Sequence, residues 1–385
     1  MYNYDILIIN RSFWPSYPVL GDALLKISED ISDSIKTGVV FQKQKNFQRQ
    51  IKTNKRGKKV NFFPSFSSTN SSANFFERII DTFVFLIWVI ICIIWTRPKR
   101  VYISTDPPIF IPFFISIYCL IFKAKFIYHI QDIHPEATGA IFKINIFIIK
   151  LLRGIDNFVI NRANIIITLN DTMKLQIIKR SNTKKKIIII ENPSFKIEPK
   201  DFIFQKKKGF SFTGNLGRMQ RIPLICDAIN HYSNSGGKLS FAFVGGGKYS
   251  NLLNDLANNC QLVRYYGFKN IKETSAINSS FEWALLPIED EVTNFSFPSK
   301  VSSYVHSGAK ILAICSTSTS VAKFIKKNNL GIVVEPNLEK LVDIFFTIEN
   351  DEFDFSFIDL ERRELKKKLD FEVFVDKIKS LILEI

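Results

Sequence analysis

The sequence predicts an α/β protein of two doubly wound parallel-sheet domains in series, facing across a cleft. Three observations predict it. Short β-branched runs alternate with segments of helical length along the chain, and strand–helix–strand repetition of this kind gives a parallel sheet covered on both faces. The alternation breaks once, at 191–210 ("ENPSFKIEPKDFIFQKKKGF"), where two prolines, a lysine run and the loss of periodicity mark a linker. Glycine turns and polar clusters collect where strands end, which is where such sheets bind ligands.

The elements follow in order. Strands are predicted over 5–10, 37–42, 100–105, 125–130, 164–169 and 186–191, where the runs are rich in Ile, Val, Phe and Tyr. After the first strand, "NRSFWPSYPVLGDALLK" (10–26) turns into a helix opened by Gly21. The stretch "KQKNFQRQIKTNKRGKK" (43–59) holds eight Lys and Arg and no Asp or Glu. It reads either as a solvated loop or as a patch that meets anionic lipid, where each basic residue adds roughly 1 kcal/mol. Phe83–Trp95 has no polar residue, yet spanning a bilayer takes about 20 residues. Ile109–Phe122 is broken by Pro112 and Ser116. Both read as crossover helices, core or membrane-facing, and Arg97, Lys99 and Arg100 after the first suit headgroups at an interface. The second half repeats the pattern, with strands over 210–214, 239–245, 261–267, 283–288, 310–315 and 331–336. The last 26 residues, "LERRELKKKLDFEVFVDKIKSLILEI", read as two helices interrupted near Asp370.

Composition sets bounds. A chain of 385 residues with 46% hydrophobic content carries two ordinary cores, and Phe is abundant at 37. Five scattered cysteines with no C-x-x-C pair read as reduced, buried thiols in the cytoplasm. "MYNYDILIINR" lacks the basic start, apolar core and cleavage site of a signal peptide. The formal charge of +16 calls for an anionic partner or surface. Nucleic acid is disfavoured: there is no zinc-finger spacing, no aromatic RNA-binding signature and no basic region joined to heptads, and the aromatics lie mostly in apolar runs.

The strand ends carry the chemistry. In "FSFTGNLGRMQRIPLICDAI" (210–229), Gly214 and Gly217 allow a tight turn, and the next helix offers N–H groups to an anion. Arg218 and Arg221 add fixed positive charge suited to phosphate. The spacing is not G-x-G-x-x-G, so a dinucleotide fingerprint is unsupported. "FAFVGGGKYSNLL" (241–253), with Gly246 at its centre, repeats the geometry. In "FSFPSKVSSYVHSGAKILAI" (295–314), Pro298 suits a first helical turn, and Ser299 or its neighbours can cap it. Lys300 falls where the helix dipole disfavours a cation, which an anion there would explain. Gly308 ends the helix. In the first half, "IYHIQDIHPE" (127–136) sets His129, Gln131, Asp132, His134 and Glu136 at a strand end. Asp132 and Glu136 are candidates for acid/base work, and Gln131 and His134 for acceptor binding. No second ligand set has the spacing to join them around a metal.

These residues resemble the GT-B glycosyltransferases of family four, in the branch that builds bacterial surface polysaccharides, similar to the L-fucosamine and colanic-acid transferase type. The resemblance covers nearly the whole chain and rests on "STDPP" followed by an apolar helix and "IYHIQDIHPE", on "FTGNLGRMQ", on "FVGGGKYSNLL" and on "FPSKVSSYVHSGAKILAI". It implies two Rossmann-like domains: residues 1–195 bind the acceptor, with the helix at 371–385 packing back on them, and residues 196–370 bind the donor. It implies retaining transfer from a nucleotide sugar, a UDP-sugar by expectation, to a lipid-linked saccharide at the inner face of the cytoplasmic membrane, without a metal or other cofactor. Asp132 matches the first-domain catalytic position, with Glu136 beside it. The donor set is Gly21, Gly214, Arg218, Arg221, Gly246, Pro298, Ser299, Lys300 and Ser303. The chain departs from the family where two Glu with seven residues between them are replaced by Phe295 and Ser303, and where a His is replaced by Gln131. A nucleotide-sugar 2-epimerase on the same fold, or a non-catalytic scaffold of a polysaccharide assembly complex, are the alternatives.

Overall fold

Parallel strands and helices alternate throughout the computed structural model, which describes residues 3–17, 19–43, 46–66, 75–141, 144–194, 206–352 and 359–385. The chain runs β1 (Tyr4–Ile9), α1 (Leu20–Ser32), β2 (Thr37–Gln42), α2 (Phe47–Thr53), β3 (Asn61–Ser65), α3 (Phe75–Thr96), β4 (Pro98–Ser104), α4 (Phe110–Phe122), β5 (Lys125–His129), α5 (Glu136–Ile141), α6 (Ile146–Arg162), β6 (Ile165–Thr168), α7 (Asp171–Ser181) and β7 (Lys186–Ile189). It continues with β8 (Lys207–Thr213), α8 (Ile222–Asn234), β9 (Ser240–Val244), α9 (Ser250–Asn259), β10 (Val263–Tyr265), α10 (Ile271–Ser279), β11 (Phe281–Pro287), α11 (Lys300–Ser307), β12 (Lys310–Ile314), α12 (Ser320–Lys327), β13 (Gly331–Val334), α13 (Leu338–Glu349), α14 (Asp359–Lys368) and α15 (Phe371–Glu384). Residues 195–205 of the expected linker lie outside the described residues.

The chain divides into two units, Met1–Asn192 with Phe371–Ile385, and Pro193–Asp370. The first holds a seven-stranded sheet in the order β3-β2-β1-β4-β5-β6-β7. Its pairings are parallel, for example Ile8 opposite Val39 and Tyr102. The inner strands read as continuous apolar runs because both faces are covered. β3 is absent from the sequence expectation. "NFFPS" is short and contains Pro64, which removes a ladder donor; an edge strand, which β3 is, tolerates that. Part of the basic stretch is also a helix, α2, rather than loop. Its Phe47 is buried against Phe41 and Phe62.

α15 belongs with the first unit for a reason visible in its spacing. Phe371, Phe374, Val375, Ile378, Leu381 and Ile382 recur at helical intervals and are all buried, in one cluster with Ile6, Ile8 and Leu24. Each such side chain removed from water contributes about 1.5–3 kcal/mol. The second unit holds a six-stranded parallel sheet, β10-β9-β8-β11-β12-β13, around a core that stacks Phe210, Phe241 and Phe345. In both sheets the loops that follow the strands lie along one edge, because parallel strands all end on the same side.

Candidate active site

In the second unit, β8 ends at Thr213 and turns through Gly214–Gly217 into a 3₁₀ turn, Arg218–Gln220. Gly214 and Gly245 have φ of 124° and 127°. A Cβ on Gly245 would sit 1.9 Å from the Gly214 carbonyl oxygen. Only glycine permits that approach. The two loops are then laced backbone to backbone: Leu216 N donates to Gly246 O at 3.0 Å, and Tyr249 N donates to Leu216 O at 3.1 Å.

Lys300 opens α11 beside these loops. Tyr304, fully buried on the same helix, anchors it: its hydroxyl accepts from Thr213 N and donates to Leu285 O, both at 3.2 Å. Lys300 Nζ lies 2.6 Å from Gln220 Oε1 and 4.0 Å from the centre of the Phe212 ring. Among the described residues no carboxylate pairs with it. Burial pushes its pKa from the ordinary 10.5 down to about 7, and the helix N-terminus adds to the cost of the charge. The Phe212 ring face offsets part of that cost. Ser299 occupies the N-cap without a side-chain cap bond, and the helix starts at Lys300. Ser299 thus sits at the expected cap position without a side-chain bond to the helix, and Pro298 precedes the first turn rather than lying in it. Val301 N donates to Pro298 O at 3.2 Å, and no Ser299 hydroxyl lies over the helix start, a setting in which a helix N-terminus attracts an anion.

In the first unit, the β4 and β5 strand ends are tied together. Thr105 Oγ1 accepts from Gln131 N (3.1 Å) and Asp132 N (3.2 Å). His129 is fully buried, between the Tyr102 hydroxyl at Nδ1 and the Gln131 amide at Nε2. Burial drives its pKa down to about 3, so it is neutral. Beneath the loop lies an ionic network. Arg180 bonds Asp156, Glu136 (2.7 Å) and the His134 carbonyl (2.7 Å). Arg153 holds the other Glu136 oxygen at 2.8 Å. Tyr128 donates to Asp156 at 2.7 Å. Asp156 is shifted upward by burial, against the pull of Arg180. His134 is shifted downward by burial, with Asp132, Asp156 and Glu136 opposing.

No family model matches the sequence. A Pseudomonas aeruginosa protein named "Probable glycosyltransferase WbjE" is 25% identical over 260 residues, which is 62% of this chain and 64% of that protein's length. Among solved structures, Anabaena Alr3699/HepE in complex with UDP and glucose superposes with a TM-score of 0.67 at 13% identity, covering 99% of both chains. WaaG, a glycosyltransferase involved in lipopolysaccharide biosynthesis, gives 0.66 at 13% identity over 98% of this chain and 99% of its own. The fold is GT-B.

On the GT-B frame the predicted residues fall into two sets. Gly214, Arg218, Arg221, Gly246, Pro298, Ser299, Lys300 and Ser303 belong to the second unit; Gly21, Gln131, Asp132, His134 and Glu136 belong to the first. They are not equivalent. Arg218 is exposed on the 3₁₀ turn. Arg221 is engaged by Ile288 O at 2.9 Å, Glu289 at 3.0 Å and Asp290 at 3.2 Å, and so braces the loop after β11. Ser303 is buried within α11. Gly21 is buried, and a Cβ there would meet Trp14 N at 2.7 Å, so packing of the β1–α1 turn accounts for this glycine. Glu136 has both oxygens committed to arginines, whereas Asp132 is half-buried at the strand end. Sequence reasoning missed Gln220, Phe212, Arg180 and Asp156. Gln220 stood inside "FTGNLGRMQ" but carries no signal without its partner. Arg180 and Asp156 lie 44 and 20 residues from Glu136 on separate helices, with nothing local to mark them.

Proposed function

We propose that the protein is a retaining glycosyltransferase that moves a sugar from a nucleotide sugar, expected to be a UDP-sugar, to a lipid-linked saccharide. The acceptor would belong to the assembly of O antigen, capsule or exopolysaccharide. The observation that carries this reading is Lys300: a shielded cation at an uncapped helix start, faced by one amide oxygen and flanked by two glycine loops. That is the chemistry of a diphosphate site. The GT-B fold and the likeness to a probable glycosyltransferase support the same reading.

In this mechanism the bond between the anomeric carbon and the diphosphate oxygen breaks, and the electron pair leaves with the diphosphate. Negative charge builds on its oxygens. Lys300, the N–H groups of α11 and Arg218 stabilise it, so the chain's own groups do what a metal does elsewhere. Fixed dipoles and cations need no reorganisation at that moment. The sugar becomes oxocarbenium-like and the acceptor hydroxyl attacks. Asp132 orients that hydroxyl or takes its proton, with Gln131 and His134 alongside. Glu136 acts through Arg153 and Arg180 as a positioning residue. The enzyme would work at the inner face of the cytoplasmic membrane, where lipid-linked acceptors and anionic headgroups meet its positive charge.

The test is thermal stabilisation by UDP, GDP and NAD, followed by product analysis with candidate nucleotide sugars. A ligand at 100 times its Kd adds about 2.7 kcal/mol, which a melting curve resolves. A shift with UDP and retention of anomeric configuration in the product are expected. No shift with any nucleotide sinks the reading in favour of a scaffold, and a free epimerised nucleotide sugar sinks it in favour of an epimerase.

A further inference from the structure

The first unit exposes apolar side chains where a water-facing helix surface should be polar. On α3, Ile80, Phe83, Ile87, Ile91 and Ile94 are 44–61% exposed and recur every three or four residues. They form one stripe about 21 Å long. Trp95 extends it at 67% exposed. The opposite face of α3 is fixed: Phe85, Val89, Cys92 and Ile93 are buried, where the helix packs on β1, β2 and β3. The helix therefore cannot leave the domain to cross a bilayer, and no described helix is long and apolar enough to do so. α4 packs against α3 on one side and α6 on the other. It shows Phe110, Phe114 and Ile121 outward, and the first turns of α6 show Phe147 and Leu151, 75% and 67% exposed. Three adjacent helices thus present one apolar face, and a soluble monomer rarely leaves so much uncovered.

The charges around this face are predominantly basic. Residues 75–162, which include the three helices, hold ten Lys and Arg and six acids. Asp81 and Asp156 are buried, Asp106 pairs with Arg11, and Glu136 with Arg153 and Arg180. Asp132 lies in the site loop. Arg97 follows α3, Lys123 caps α4, Lys125 starts β5 and Lys150 lies on α6, all exposed. By contrast, the basic stretch at 43–59 has spent part of its charge internally: Arg56 pairs with Glu29 and Asp22, and Lys59 with Asp33.

We infer that the α3–α4–α6 face is a membrane-docking surface whose partner is the headgroup region of an anionic bilayer. Large apolar side chains enter the acyl boundary while the flanking cations meet lipid phosphates. A second copy of the chain is a poorer occupant, because an isologous contact would press two like-charged faces together. The inference deepens the membrane part of the function proposed above and rests on that reading for its biological purpose. It locates the contact on three helices rather than on the 43–59 segment.

The test uses the intact chain with vesicles of phosphatidylcholine alone and of phosphatidylcholine with phosphatidylglycerol. Co-sedimentation with the anionic vesicles at low salt is expected, with a blue shift of Trp95 fluorescence that Trp95→Phe removes. The triple variant Phe114→Gln/Phe147→Gln/Leu151→Gln should weaken vesicle binding at least tenfold, while Leu383→Gln, an exposed apolar position on α15, should not. The inference is overturned if wild type ignores anionic vesicles, if the triple variant binds as wild type does, or if wild type is a dimer that the variant dissolves. The fluorescence result stands even if the triple variant fails to fold. Stabilisation by UDP, measured on the same preparations, separates the two readings: a UDP shift without vesicle binding removes the docking face and leaves the transferase, and vesicle binding without a shift does the reverse.

Discussion

Lys300 offers the sharpest test of the donor site. Its pKa falls from 10.5 to about 7 on burial, so its charged fraction drops from about half at pH 7 to about one per cent at pH 9. A diphosphate needs the ammonium, so binding takes up a proton. The Kd for UDP should therefore rise by up to about fifty-fold from pH 7 to pH 9. This is an upper limit, because the residue is only partly shielded from water. Lys300→Met should bind weakly and show no such slope. Stability gives an independent reading. The unfolded chain holds the lysine proton between pH 7 and 10.5 and the folded chain does not, so stability rises with pH across that window. The penalty is complete below pH 7 and is on the order of 5 kcal/mol at most. Lys300→Met should then melt no lower than wild type at pH 6.5 while losing UDP. Calorimetric titration in two buffers of different ionisation enthalpy, with melting curves at pH 6.5 and 9, checks both halves. Wild-type affinity that stays flat from pH 7 to 9, or a variant that keeps the slope, would refute the reasoning.

Three further outcomes follow from the geometry. Asp132→Asn should lower turnover by roughly 10²–10⁴-fold if the carboxylate handles the acceptor proton, while the UDP-induced melting shift stays as in wild type; unchanged turnover in a radiolabelled-sugar assay rejects it as the catalytic group. Arg180→Met removes the cation paired with the buried Asp156 while Glu136 keeps Arg153, and should cost about 3–5 kcal/mol in urea unfolding, with Arg180→Lys recovering only part. Gly245→Ala forces a Cβ against the Gly214 carbonyl and should abolish UDP binding, since both glycine loops must shift; a variant that binds UDP normally would show that the lacing is dispensable.

How much of this was legible in the sequence depends on the range of the interaction that produces it. All twelve predicted strands form, because burial on both faces leaves an unbroken apolar run that periodicity detects. β3 escaped because an edge strand carries few apolar residues and this one includes Pro64. The candidate site was legible as positions but not as roles. Strand ends identify themselves by glycine and by the change from apolar to polar, so Gly214, Lys300 and Asp132 could be picked out. Whether a polar side chain is free or spent depends on partners far along the chain. Arg180, 44 residues from Glu136, holds one oxygen of that carboxylate, and nothing near Glu136 in the sequence announces it. His129 and Gln131 satisfy one another, which the spacing hints at but does not require.

The same sorting explains the net charge of +16. A fold that only needed solubility could pair its cations or leave them in water. Several are paired here: Arg56, Arg180 and Arg221 each meet two carboxylates, and these pairings hold loops in place. Among the described residues Lys300 pairs with no carboxylate, and it is not fully solvated. Keeping a cation there costs stability, and a sequence free of functional constraint could replace it with Met or Leu at a gain. A position where local physics argues against the residue that occupies it is where an outside partner best accounts for it. The anion that would relieve Lys300 is the one a glycosyl donor brings.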